Sequence, residues 1–500
     1  MLKKVLVAGF ICTLAYSFWF LLIGLSNPTL DSFAFRQSQT ALSAYWILQG
    51  GPWLIYETPV LGSPWAIPFE FPTYQLLVAL VTHTGIPMEV SGRLISYFFY
   101  VGTLVPAYYF WRQIDNKIEG FLVFSMLYLA CPLYLFWGRS VMIETAAVFF
   151  SMCWLALLVS LVHKPNAWKL LVCVAFGLLG ALTKSTTFMV FASAGALFAG
   201  IHFLQIMRSQ GLKSIGNAVA ITAVAGVVPV ATGYFWALFS DAVKGQNQFA
   251  AALTAKNLHY WYFGTLAQRL SSTFWIDVVW KRMLTDIFGY GAVFAVAAFG
   301  VNIIHRKSLV TAGIAVVIFL SSLLTFTNLH FVHSYYQVAN AICLIFAVAV
   351  SISCVITLNR PVLATALVGL ILIGQVAYTL AFYLPMVRSD PVGEEYYSVG
   401  LVTREQTKPG DAIVVIGTDW SSEIPYYAQR KGLAVRAVMP DAELVASIQN
   451  PRSILGNAPL GAIVDCRTFT GTQNLFPAVN NILATMKVTS DDGKCRVYQP

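Results

Sequence analysis

The chain has 500 residues, of which 58% are hydrophobic and 11% charged, and its 31 basic and 22 acidic side chains give a formal net charge of +9. A soluble globular domain carries about 25% charged residues, so this composition excludes one. A basic surplus would suggest nucleic acid as a partner in a soluble chain; in a membrane chain it reports topology, because basic residues collect in inner loops, and we expect no nucleic acid.

The chain opens with Met1-Leu2-Lys3-Lys4 and then about twenty apolar residues, the length a bilayer core requires. That run is too long for a signal peptide and no small-x-small cleavage site follows, so an uncleaved first helix is expected over Val5–Leu25. Further spans are expected at Leu94–Trp111, Phe121–Trp137, Thr145–Val162, Trp168–Leu182, Thr187–Ile206 and Asn217–Phe239. Others follow at Ile287–Ile304, Leu309–Phe326, Tyr335–Thr357 and Val362–Leu384, for about eleven crossings in all. Tyr74–Ile86 is apolar but too short to span comfortably and reads as an interfacial or re-entrant segment.

One set of short loops carries Lys3, Lys4, Arg112, Lys117, Lys164, Lys169, Arg208, Lys213, Arg306, Lys307 and Arg360, whereas the other carries only Arg139 and Lys184. The first set is therefore expected to be cytoplasmic. The loop after the first helix, the loop 240–286 and everything from Pro385 would then face outward. No internal repeat and no matched pair of broken helices is visible, which argues against a secondary transporter.

The first outer loop, 27–75, holds Asp31, Arg36, Glu57 and Glu70 among Trp46, Trp53, Trp65 and many Tyr and Phe residues. A carboxylate at a membrane boundary is costly and has a partner or a task. Asp31 would either serve chemistry or cap a helix over Ser32–Leu48. Arg36 would orient Asp31, contact a phosphate or reach toward headgroups. Pro72 forces the residue before it into extended geometry, which would present Glu70 from a stiff turn. Arg139 and Lys184 break the orientation rule, and an anionic phosphate would explain both; the alternative for Arg139 is an ion pair with Glu144. The loop 240–286 is basic and aromatic, as a cover over a lipid phosphate or a headgroup-binding segment would be. His330 and His333 have the spacing to share a metal on one helical turn.

Asp-x-x-x-x-Arg-Gln-x-x-x-Ala from Asp31 to Ala41, then Glu70-Phe-Pro-x-Tyr, resembles the first outer loop of the polyprenyl-phosphate-sugar-dependent glycosyltransferases. That is the C-type membrane fold of the protein O-mannosyltransferases and the lipid A aminoarabinose transferases. The resemblance covers most of the chain, most clearly residues 1–208. It implies an inverting glycosyltransferase that moves a hexosyl or pentosyl unit from a polyprenyl-phosphate carrier to a lipid, glycan or protein acceptor. It further implies an integral protein of the bacterial inner (plasma) membrane, in contact with membrane lipids. Asp31 would be the base, and Glu70 an acidic or metal-contacting residue beside it. Lys184, Arg139 and Arg269 would hold the donor phosphate, with Arg36, His333, Tyr335 and Tyr336 on substrate. His333-Ser-Tyr-Tyr looks like the His-x-Tyr-Tyr element of many relatives. No cofactor is firmly implied; a divalent metal near Glu70 and His330/His333 is the one candidate. A transporter or flippase of a lipid-linked sugar is the alternative function.

Residues 1–384 thus form the expected transmembrane domain, and 385–500 a small extracytoplasmic α/β domain. In the latter, strands are expected at Asp411–Gly417, Leu433–Val438, Gly461–Val464 and Lys494–Tyr498. Helices are expected at Ser421–Lys431, Asp441–Gln449 and Gln473–Met486. The Gly417-x-Asp419 turn lacks a phosphate-binding fingerprint, in keeping with a donor that carries no nucleotide. Neighbouring strands would bring Cys466 and Cys495 together as a disulfide, which an oxidising compartment permits.

Overall fold

A computed structural model of the chain describes residues 2–115, 117–210, 216–388, 390 and 394–500. Lys213, one of the cations used to orient the chain, lies outside them. Among the described residues, seven helices are long and apolar enough to cross a membrane, from Leu2–Leu22 to Pro361–Val387. Three shorter apolar helices, Ile118–Leu129, Ala167–Thr183 and Ala341–Thr357, fall where further spans are expected. The molecule is a multispanning helical membrane protein with one small sheet.

Several spans differ in detail from the sequence expectation. Leu94–Trp111 is two helices, Met88–Gly102 and Leu104–Ile114, and Phe121–Trp137 is also split. In the second case Pro132 has no N–H to continue the ladder, so a new helix starts there. The span expected from Ile287 begins at Phe274, and the helix expected from Tyr335 begins at Ala341. Tyr335 and Tyr336 lie instead in a 3₁₀ turn, Ser334–Ala339. The loop 240–286 is a string of short helical segments rather than open coil.

Contacts divide the chain into two compact units. The first contains 1–25, 93–236 and 258–388, all helical. The second contains 26–92, 237–257 and 389–500, so residues 27–75 belong to the same unit as the tail.

The reason lies in the sheet. Its strands are β1 (Ala412–Ile416), β2 (Lys431–Ala434), β3 (Leu460–Asp465), β4 (Lys487–Asp491) and β5 (Arg496–Gln499), in the order β2-β1-β3-β5-β4. β2, β1 and β3 run parallel, whereas β5 is antiparallel to both β3 and β4. Every residue of β1 is buried, as a parallel strand covered on both faces requires. Ala412, Val414 and Ile416 pack on one side, Ile413 and Val415 on the other. The open edge of β2 does not stay open. Gly432 and Ala434 donate to the carbonyls of Pro59 and Val60 at 3.0 and 2.7 Å, and Gly62 donates back to Gly432 at 3.0 Å. Residues 59–62 thereby cap the sheet edge, which an exposed strand needs. Lys431 reinforces the join through Glu57 at 2.6 Å and lies over the Trp46 ring at 4.8 Å.

Most tail elements fall near their expected positions, and the helix Asp441–Gln449 matches residue for residue. The helix expected over Ser421–Lys431 is shorter, Glu423–Ala428, because Gln429 turns left-handed at φ 53°. The helix expected over Gln473–Met486 shrinks to Val479–Leu483.

Cys466 and Cys495 form a disulfide with Cα atoms 4.2 Å apart. Gly417, at φ +93°, lets the chain after β1 pass against Cys466 and Arg467; a Cβ there would meet the Arg467 nitrogen at 2.7 Å. The bridge closes a separation of 29 residues, so its removal by Cys466→Ser should destabilise the tail by about 3 kcal/mol in the loop-entropy account. Alkylation of the unfolded protein followed by peptide mapping checks the bond: Cys466 and Cys495 should label only after reduction.

Candidate active site

The side chains singled out in the sequence are divided between the two units. In the second unit, Asp31 is buried at 8% exposure in an irregular turn ahead of the helix Ala34–Leu48. It does not cap that helix, contrary to the capping alternative. The cap position is Phe33, left-handed at φ 59° and ψ 41°, with no side-chain cap bond. Asp31 instead accepts a hydrogen bond from Gln37, a fully buried residue of the first turn. On the neighbouring position, Arg36 donates to Glu70 at 3.0 Å, and Gln75 donates to the other Glu70 oxygen at 2.8 Å. Consecutive residues of one helix thus hold both carboxylates.

Glu70 gains rigidity from hydrogen bonds more than from Pro72, which forms the N-cap of the helix Thr73–His83. The Tyr56 hydroxyl donates to the Glu70 carbonyl at 3.0 Å and accepts from the Phe69 amide at 2.8 Å. The Arg36 guanidinium lies 5.8 Å from the Phe69 ring centre. The Arg36–Glu70 pair is only 21% and 10% exposed, so neither charge is left to water alone.

In the first unit, Lys184 sits in extended geometry between the helices Ala167–Thr183 and Ser185–Gln210. Its ammonium is 2.5 Å from Glu144, the first residue of the helix Glu144–His163. The same ammonium lies 4.1 Å from the Tyr336 ring centre and 5.1 Å from that of Tyr335, within cation–π range. His333 stacks on Tyr335 at 5.0 Å. His330 shares a hydrogen bond with Ser322 at 3.2 Å. Burial, with Lys184 and Arg282 nearby, pushes its imidazole down to about 3, so it is neutral under all ordinary conditions.

Arg139 does not pair with Glu144. It donates to the carbonyls of Ile23 and Gly24 at 2.9 Å each, just past the end of the helix Leu2–Leu22, where carbonyls lack helical partners. Arg269 donates to the carbonyls of Leu324 and Phe263, both at 2.7 Å. Arg282, which nothing in the sequence distinguished from its neighbours, donates to Phe331 at 3.0 Å and to the His330 carbonyl. It therefore braces the short helix Thr327–Val332, just ahead of the turn that bears Tyr335 and Tyr336. Gln37 and Gln75 were also legible only in part: Gln37 sits in the Arg-Gln motif, but nothing marked Gln75.

The candidate donors for a divalent ion are partly engaged already. The two Glu70 oxygens accept from Arg36 and Gln75 respectively, and His330 Nε2 shares a hydrogen bond with Ser322, whereas its Nδ1 has no partner among the described residues. Among the described residues, no three His, Cys, Asp or Glu side chains are grouped to hold a metal.

No protein-family model and no curated protein matches this sequence. Solved structures do, and the chain shares their multispanning fold. One such structure is ArnT from Cupriavidus metallidurans bound to undecaprenyl phosphate, with TM-score 0.62 and 11% identity over 98% of this chain and 97% of that one. Another is the archaeal oligosaccharyltransferase AglB from Archaeoglobus fulgidus with an inhibitory peptide and a dolichol-phosphate, at TM-score 0.57 and 12% identity, covering 100% and 74%. AglB tethered to an acceptor peptide matches at TM-score 0.55 and 12% identity, covering 96% and 72%. At such identities the likeness establishes the fold.

The Lys184–Glu144 pair makes a direct prediction. Lys184→Met leaves the Glu144 carboxylate buried without its cation and should cost about 3–5 kcal/mol, whereas Lys184→Met with Glu144→Gln should recover most of it. Thermal unfolding in detergent measures both; equal destabilisation of the two variants would contradict the pairing.

Proposed function

We propose that this protein is an inverting glycosyltransferase that moves a sugar from a polyprenyl-phosphate carrier to an acceptor hydroxyl or amide outside the cytoplasm. The observation that carries the reading is the buried acid array of the first outer loop, Asp31 with Gln37 and Glu70 with Arg36, on a fold whose solved relatives hold undecaprenyl phosphate or dolichol-phosphate. Asp31 takes the acceptor proton as the acceptor atom attacks the anomeric carbon. The bond from that carbon to the carrier phosphate breaks, and its electron pair leaves with the phosphate. One displacement inverts the anomeric centre. An alcohol is a poor nucleophile until its proton departs, so the base controls the rate.

Lys184 stabilises the charge that grows on the leaving phosphate; Tyr335 and Tyr336 limit its freedom and His333 supports Tyr335. Arg139 and Arg269 share this role, with backbone carbonyls accepting from both guanidinium groups and orienting them. Glu70 fixes Arg36 and, through it, the helix that carries Gln37. The donor sugar is a hexosyl or pentosyl unit, and the acceptor a lipid, glycan or protein. The bacterial inner membrane, with the tail and first outer loop extracytoplasmic, is the location that the loop charges favour. The transferases whose fold this chain shares disfavour a flippase.

Asp31→Asn should lower turnover by about 10²-fold or more with the fold intact. Transfer of radiolabelled sugar from a polyprenyl-phosphate donor measures it, and near-normal turnover in the folded variant removes Asp31 as the base. Lys184→Ala should raise the donor KM while leaving the acceptor KM within about twofold. Parallel loss of both would assign Lys184 a structural role only.

A further inference from the structure

The turn that carries Asp31 is pinned on both sides by the tail. Two residues before it, the Thr29 amide donates to the Tyr427 hydroxyl at 2.8 Å, and the two hydroxyls share a hydrogen bond at 3.0 Å; Thr29 is fully buried. Four residues after it, the Phe35 ring meets Trp420 edge-on at 4.8 Å. Trp420 also packs on Phe69 at 5.9 Å, next to Glu70. Between the two anchors lies Phe33 at φ 59°, a conformation that a bulky residue adopts only when its surroundings impose it.

The anchors are themselves braced. Tyr427 meets Tyr397 edge-on at 4.8 Å, and its neighbour Tyr426 donates to Glu89 at 2.8 Å. Gly400 must lack a side chain, since a Cβ would come within 2.7 Å of the Tyr427 Cβ. Trp420 follows the Gly417 turn that the disulfide-linked Cys466 abuts. A hydrogen bond at one end and an aromatic contact at the other fix the turn in position and in rotation.

We propose that Tyr427 and Trp420 are positioning residues that hold Asp31 in its reactive geometry, so that the tail is part of the catalytic apparatus. The proposal rests on Asp31 as the base. A displacement of about 1 Å in such a group costs on the order of 10²-fold in rate. Tyr427→Phe removes both hydrogen bonds and keeps the ring; Trp420→Ala removes the aromatic contact, and Trp420→Phe keeps most of it.

The test is a double-mutant cycle on the full-length protein, read as transfer from a polyprenyl-phosphate sugar. Tyr427→Phe should lower kcat by about ten- to a hundredfold and leave the donor KM unchanged. In the Asp31→Asn background it should have no further effect. Trp420→Ala should behave likewise, and Trp420→Phe should recover most of the activity. Equal loss from Tyr427→Phe with Asp31 present and absent would overturn the proposal, as would unchanged kcat or a fall in thermal stability that accounts for the loss. If wild type transfers sugar but Asp31→Asn does too, the base assignment itself has failed, and the proposal falls with it.

Discussion

A buried charge must take its partner with it. This constraint organises both units, because the chain is only 11% charged and has few side chains for the purpose. Arg36 with Glu70, Lys184 with Glu144 and Lys431 with Glu57 each join segments distant in sequence. The first ties the helix Ala34–Leu48 to the Glu-Phe-Pro turn, the second ties two helix termini together, and the third ties the segment around Glu57 to the sheet. Where the pair forms, the local backbone follows. Lys184 stands extended between two helices, and Glu144 opens a third, where its charge also favours the positive end of the helix dipole.

The tail and residues 27–75 form one folding problem rather than two. The run Pro59–Gly62 adds to the edge of β2, and Trp65 packs against the sheet core with Ala412, Val414 and Ile416. A loop of that length without regular strands would otherwise leave many backbone groups unsatisfied. The sheet satisfies them, and in return the loop covers the sheet's exposed edge. Chemistry placed on such a loop inherits the rigidity of a packed core, which loops seldom have.

Sequence reading reached the fold because bilayer thickness imposes a length on apolar runs that chance does not produce. It also reached the helix Asp441–Gln449, which has a proline just ahead of it and acids in its first turn. It missed β4, whose residues Lys487-Val-Thr-Ser-Asp are mostly exposed at the sheet edge and carry no buried pattern. Pairings across distance were the least legible. Glu144 stands five residues from Arg139 in sequence, yet its cation comes from Lys184, 40 residues away. Proximity along the chain suggested the first pair; only packing of helices selects the second. Asp31 was legible as a residue of interest, whereas the tail residues that hold its turn carried no motif at all.

Under the proposed function, a covalent bond between sugar and carrier phosphate is broken, whereas a flippase would only move a lipid-linked sugar across a membrane. Purified protein in detergent micelles, where no compartments exist, separates the two. Incubation with a polyprenyl-phosphate sugar and a membrane extract as acceptor source should release free polyprenyl phosphate at a rate proportional to protein, with the sugar recovered on the acceptor in inverted configuration. A donor that remains intact over many hours, with extracts from several sources and with the protein folded, would contradict the account.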